Sequence, residues 1–172
     1  MLELIAPYYM YIKLLHLLAV MVWLFSTAVG YQNYVVPAFK TWAATPDDEQ
    51  AIAMRNLAIE RFDDGVILEH CAFPIIMVTG PILWLLSGYG AESDWFVLKM
   101  LIVFGIFLPI EFADYHLSHF RGNKRRHRLA GDMEEYERNI QLHWRFLVSV
   151  TWPIVFFGMS VVALAVLKPQ FS

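Results

Sequence analysis

Charge is scarce in this 172-residue sequence. Asp, Glu, Lys and Arg make up 17% of it, against about 25% in an ordinary soluble domain. Basic surplus is lacking too. Thirteen Lys plus Arg stand against 16 Asp plus Glu, a formal net charge of −3, which excludes the large positive face that nucleic acid requires. The one cysteine, Cys71, excludes an intrachain disulfide, a Cys-x-x-Cys zinc ribbon and a thiol-redox pair. No Gly-x-Gly-x-x-Gly run occurs, so no fingerprint for a flavin or nicotinamide dinucleotide is present. Any metal or cofactor must therefore be held by His, Met or carboxylate side chains. What fills the sequence instead is apolar: 58% hydrophobic and 16% aromatic residues. That is more than a soluble core buries, and it predicts lipid as the surrounding solvent.

Four stretches are long enough to cross a hydrocarbon core, which takes about 20 residues. They cover residues 8–31, 66–88, 95–116 and 143–167. The pattern predicts an all-α integral membrane protein, a single four-transmembrane-helix bundle in a lipid bilayer. The first run is longer than the roughly 7–15 apolar residues of a signal sequence and lacks an early basic patch, which predicts a retained helix. Connections 39–65 and 120–140 hold Lys40, Arg55, Arg61, Arg121, Lys124, Arg125, Arg126, Arg128 and Arg138. The positive-inside rule makes those two connections cytoplasmic, with both termini on the outer side of a bacterial-type cytoplasmic membrane. In the first connection, Thr45 or Asp47 is expected to cap a helix whose Ile52, Leu57 and Ile59 rest on the membrane surface. Pro74, Pro81, Pro109 and Pro153 fall inside spans, where each frees a carbonyl and can open a cavity between helices.

Polar residues within spans carry the information, because a charge in lipid is costly and turns inward. They fall into two layers. Toward the outer side lie Lys13, His16 and Lys99, with His16 about 12 Å from its span end. Lys13, His16, Val20, Trp23, Thr27 and Gly30 follow helical spacing and share one face. Lys13 and Lys99 can also snorkel to the headgroups. A buried neutral imidazole suits haem iron, with Met or a second His opposite. Met77 lies about 16 Å into the second span, close to the depth of His16. Toward the cytoplasmic side lie Glu69, His70, Glu111, Asp114, His116, His119, His143 and Arg145. Three readings stay open for this layer: a non-haem metal ion on Glu69, His70, Glu111, Asp114 and His116, a proton or substrate relay, or a ring of charge pairs such as Arg145 with Glu111. His116 points about 140° away from Glu111 on a helix, so the whole set cannot converge.

Several segments together resemble the HemJ-type membrane protoporphyrinogen oxidase family. They are Tyr11-Ile12-Lys13-Leu14-Leu15-His16 with Val22-Trp23, Glu60-Arg61, Pro74-Ile75-Ile76-Met77-Val78-Thr79-Gly80, Trp95-Phe96-Val97-Leu98-Lys99, Tyr115-His116, Arg145, and Val166-Leu167-Lys168-Pro169. The resemblance implies a four-helix membrane oxidoreductase that oxidises protoporphyrinogen IX late in haem synthesis. It makes His16 the histidine associated with haem b and Lys99 the lysine of the third helix. Lys13, Lys99 or Arg145 would then pair with porphyrin propionates, Met77 or a second histidine would complete the iron, and Trp23 would line the cofactor. Lys99 and Arg145 become the expected catalytic pair. Electrons would pass to a quinone or a respiratory partner, and a homo-oligomer is compatible with this reading. The chain departs from the family pattern in carrying Glu69-His70 and in having Ser149-Val150 where the family has Asn-Glu. The rival expectations are a non-haem metal protein and a small membrane subunit of a larger complex without chemistry of its own.

Overall fold

The computed structural model describes residues 2–170. Helix follows helix: α1 (Leu2–Ile5), a 3-10 turn (Ala6–Tyr8), α2 (Tyr9–Gly30), a π-turn (Tyr31–Val35), α3 (Val36–Ala44), α4 (Glu49–Gly65) and α5 (Ile67–Ser87). They continue with α6 (Asp94–Ile102), a second π-turn (Val103–Phe107), α7 (Leu108–His119), α8 (Lys124–Ala130) and α9 (Met133–Leu167). No strand occurs among the described residues. Four stretches, Glu3–Ala44, Glu49–Ser87, Asp94–Ala130 and Met133–Leu167, are long and apolar enough to cross a membrane. The protein is a multi-pass all-α membrane bundle.

Its outside is as apolar as its sequence predicts. Leu14, Leu15, Leu17, Leu18, Met21 and Phe25 of α2 are all exposed, whereas Ala19, Trp23 and Leu24 are buried. In lipid there is no hydrophobic gain from hiding the former, so packing and small residues decide which face meets a neighbour. Gly158 of α9 shows this: a Cβ there would overlap Leu24 of α2. Helix α2 packs along α5 and also meets α9, which in turn packs on α6 and α7.

The helices run beyond the expected spans. The first continues through its π-turn to Ala44, and most of the two connections is itself helical. Asp48, not Thr45 or Asp47, caps α4, accepting from Gln50 N at 3.3 Å and Ala51 N at 3.2 Å. Nor do all three apolar residues expected at a membrane surface face outward. Ile59 is fully buried in a core cluster with Val35, Phe39, Phe62, Tyr136 and Ile140, although Leu57 is exposed. That cluster extends the bundle past the spans. A second cluster, around Trp23, Leu24, Phe73, Ile102 and Phe107, fills the middle. On α5, Glu69 and His70 stand between Val66 of the first cluster and Ala72 of the second.

Proline is absorbed in two ways. Both π-turns lie just before a proline near a helix start, Pro37 and Pro109, whose missing N–H and bulky ring disturb the carbonyl four residues back. Pro74, Pro81 and Pro153 instead sit inside unbroken α-helix.

Between α7 and α8 the chain reverses at Gly122, whose N–H donates to the His116 carbonyl at 3.1 Å. A Cβ there would stand 2.5 Å from the Leu117 carbonyl oxygen and 2.6 Å from its Cα. Those are backbone atoms and cannot swing aside. Gly122→Ala is expected to lower the thermal unfolding midpoint in detergent, at a loss of about 1–3 kcal/mol.

Candidate functional site

His16 faces its sister helices. From α2 its Nδ1 lies 2.8 Å from Thr79 Oγ1 on α5. The Thr79 hydroxyl donates its one proton to the Ile75 carbonyl at 2.6 Å. Thr79 therefore accepts from His16 Nδ1–H, and this tautomer leaves Nε2 with the lone pair. Gly80 lies beside the ring, where a Cβ would make ordinary contact with His16 Cε1 at 3.5 Å. Lys99 of α6 is close enough for its charge to act on the ring.

The other residues expected around His16 do not gather there. Met77 matches it in depth but sits two residues before Thr79, about 200° round α5, and packs on the central core cluster. Trp23 is packed between Phe73 and Phe107, ring centroids 5.9 and 4.9 Å away, and its Nε1 donates to Glu111 Oε2 at 2.9 Å. It belongs to the central core cluster. Lys13 and Arg145 are exposed, which leaves Lys99 as the cation near the histidine. Thr27 and Gly30, on the His16 face further along α2, line a cavity of about 590 Å³ with Tyr34, Met54, Arg61 and Phe62. His16 does not line it.

The second layer is a continuous chain of hydrogen bonds. Asp114 is its centre: Oδ2 lies 3.1 Å from His70 Nε2 and Oδ1 lies 3.1 Å from His143 Nε2. His70 Nδ1 is 2.7 Å from His119 Nε2. On the other side His143 Nδ1 meets Lys124 Nζ and lies 3.3 Å from Asp63 Oδ1. Lys124 Nζ donates to Asp63 Oδ1 at 2.9 Å and to the Leu117 carbonyl at 3.0 Å. Lys124 and His143 are both 0% exposed. One pattern of protons satisfies every bond. His119 donates to His70, His70 and His143 each donate Nε2–H to Asp114, and the three N–H bonds of Lys124 go to Asp63, Leu117 and His143.

The arrangement is a line of pairwise hydrogen bonds and ion pairs. No group of three or more His, Cys, Asp or Glu among the described residues is placed to hold a metal ion. The imidazole nitrogens face carboxylate, imidazole and ammonium partners rather than one centre. His116 is exposed and outside the chain, and His119, one helical turn after Tyr115, stands in its place. Arg145 forms no ion pair among the described residues, so the expected pairing with Glu111 is absent. Glu69 and Glu111 are buried in the same layer, and Glu69 Oε2 and Glu111 Oε1 have no hydrogen-bond partner among the described residues.

One bond in this layer follows directly from a proline. Pro74 lacks the N–H that would bond the His70 carbonyl, and the Tyr115 hydroxyl donates to that carbonyl at 2.5 Å. The Tyr115 ring also stacks on His70, centroids 4.0 Å apart. The orphaned carbonyl of α5 thus ties it to α7 beside this chain of hydrogen bonds.

Beyond the spans a set of ion pairs holds the layer in place. Glu60 accepts from Arg128 at 2.7 and 2.9 Å and from the Tyr136 hydroxyl at 2.9 Å. Arg55 forms a bidentate pair with Glu137 at 2.9 and 2.5 Å and lies over the Trp42 ring. The basic run after residue 120 is therefore divided. Lys124 points into the bundle, Arg125 and Arg128 pair with α4, and Arg121 and Arg126 stay exposed. Sequence reading missed Asp63 and the inward turn of Lys124. Helical phasing was the available signal, because Glu60 and Asp63 share a face with Ile59 and Phe62.

Two outcomes follow. Burial pushes the Glu60 carboxyl up, but hydrogen bonds from Arg128 and Tyr136 and the charges of Arg128 and Arg125 outweigh it and hold it below 4.5. A carboxyl depressed in the folded state contributes stability that is present above its unfolded value and lost as pH falls through its folded one. Thermal unfolding of the wild type is thus expected to weaken below pH 4.5 more steeply than that of Glu60→Gln, which starts lower at neutral pH. Separately, Tyr115→Phe should cost about 1–2 kcal/mol in the wild type. The same change should cost clearly less in Pro74→Ala, where a restored N–H satisfies the His70 carbonyl, and a double-mutant cycle measures the difference. No family model, curated protein or solved structure matches this chain.

Proposed function

We propose that the protein is a haem-b-binding membrane oxidoreductase similar to the HemJ-type protoporphyrinogen oxidases, acting on a porphyrin-type substrate. The observation that carries this reading is the His16 ring: directed into the bundle, held at Nδ1 by Thr79, and left with a free lone pair on Nε2. A hydrogen bond on one ring nitrogen that fixes the tautomer and offers the other is how iron-binding histidines are prepared. The order of motifs along the chain, from Lys13 and His16 through Lys99 and Arg145 to Pro169, supports the same reading.

His16 would hold the iron through Nε2, and Thr79 would keep the ring from turning. Lys99, the cation beside His16, would pair with an anionic propionate. When bound, haem supplies one-electron transfer, which a quinone or a respiratory partner would complete. Met77 is not proposed as the opposite ligand, because it is turned into the core. The basic side chains that gather on the 39–65 and 120–140 connections support a cytoplasmic position for that end, with both termini outside.

The test is the absorption spectrum of detergent-purified protein. Wild type is expected to show a Soret band that is lost in His16→Ala, kept in Met77→Leu and Lys13→Ala, and weakened in Thr79→Val. A wild type purified after haem supplementation without a Soret band overturns the reading. So does a band indifferent to His16.

A further inference from the structure

The layer that joins the two core clusters holds the carboxyl groups of Glu69, Glu111 and Asp114, and they are not partnered alike. Asp114 accepts an N–H from each of two imidazoles. Glu111 accepts one bond, from the Trp23 indole, and its Oε1 is buried without a partner among the described residues. Glu69 Oε2 is buried in the same way. The two residues are 4% and 3% exposed, and the charges of Glu111 and Asp114 reach Glu69.

The groups around this pair are engaged elsewhere. On α5, His70 is committed to His119 and Asp114, and Cys71 is exposed. On α7, the Tyr115 hydroxyl donates to the His70 carbonyl. His143 of α9 faces Asp114 and, on its far side, Lys124 and Asp63. The nearby cations are paired as well: Lys124 with Asp63, Arg128 and Arg125 with Glu60, and Arg55 with Glu137. Two buried carboxyl groups, each with an oxygen that has no hydrogen-bond partner among the described residues, thus share one low-dielectric layer in which the cations named above are paired with other carboxylates. Carboxyl pairs in such a site hold a proton in common, since both cannot ionise.

We propose that Glu69 and Glu111 form a proton-binding site that exchanges with water through the His70–His119 ring pair. His119 is only partly buried and is the end of the chain that meets water. A proton arriving on its Nδ1 releases the Nε2 proton to His70 Nδ1, and His70 passes its own Nε2 proton to the Asp114 carboxylate. The carboxyl layer gains one proton. N–H and O–H bonds alone are made and broken, and no electron moves. From Asp114, whose charge reaches both glutamates, the proton passes on to the pair, and Asp114 again accepts an N–H from each imidazole once His70 and His119 have regained their starting tautomers. Nothing in this step depends on haem at His16.

Infrared spectroscopy of the full-length protein in detergent tests both halves. At neutral pH the wild type is expected to show a protonated-carboxyl C=O band that moves on labelling with isotope-substituted glutamate. The band should vanish in Glu69→Gln/Glu111→Gln. A wild type without the band, or a band that the label does not move, overturns the site without relying on any variant. Transfer into D2O tests the route. The band should shift about tenfold more slowly in His70→Gln, and also in His119→Gln at the more accessible end. Exchange as fast as in the wild type in both variants overturns the route through the imidazoles. Because these readouts need no haem, a missing Soret band would leave them unaffected.

Discussion

An ionised carboxylate inside a helix bundle needs donors on every side, and Asp114 is where this bundle supplies them. Its two oxygens are met by imidazoles from two helices, His70 of α5 and His143 of α9. Each of those rings has a second nitrogen that must also be satisfied, so the demand passes outward to His119 on one side and to Lys124 and Asp63 on the other. Lys124 then fixes where α8 sits, because its ammonium also takes the Leu117 carbonyl. One buried charge thereby sets the positions of four helices relative to α7. It also explains why the ion pairs of Glu60 and Arg55 cluster beyond it: they hold α4 against α8 and α9, so that Lys124 and Asp63 stay within reach.

The two ends of the bundle are built from different chemistry. At the Lys124 end, charged groups are interlocked and buried. At the other end, the Lys168 ammonium donates to the Tyr89 hydroxyl at 2.7 Å and lies over the Tyr89 and Trp95 rings, a contact suited to a membrane interface. Between them the helices touch through small residues and apolar side chains, as Gly158 against Leu24 does. His16 lies in this middle region with a single polar partner from another helix, Thr79, and so it keeps a nitrogen free. His70 and His143, by contrast, have both ring nitrogens engaged.

Much of this was legible in the sequence, for definable reasons. Span lengths follow from bilayer thickness, and the grouping of Glu69, His70, Glu111, Asp114 and His143 into one layer follows from their distances to the span ends. Distance along an axis says nothing about direction around it. Met77 has the right depth and the wrong azimuth. His116 and His119 differ little in depth, but the stripe through Glu111, Asp114, Tyr115 and Ser118 leads on to His119 and leaves His116 outside. Lys124 is indistinguishable from its basic neighbours by composition. Its inward turn depends on Gly122, on the Asn123 cap that starts α8, and on an acidic residue 61 positions earlier.

The prolines show how local chemistry becomes tertiary structure without any signal of its own. That Pro74 frees the His70 carbonyl is a matter of covalent geometry. What meets the carbonyl depends on α7 arriving with Tyr115 at the same height, which depends in turn on the phase of the third helical stretch. The π-turn at Val103–Phe107 adds to that phase, since a wider turn rotates everything after it relative to a continuous α-helix. That rotation falls between Trp95 and Lys99 on one side and Glu111, Asp114 and Tyr115 on the other. A continuous α-helix would aim Asp114 differently relative to Lys99, which is why helical-wheel reasoning across the whole stretch cannot relate the two polar layers. On α7 itself, where no such turn intervenes, Glu111, Asp114 and Tyr115 share one arc, as helical spacing requires, and the exposed His116 lies off it.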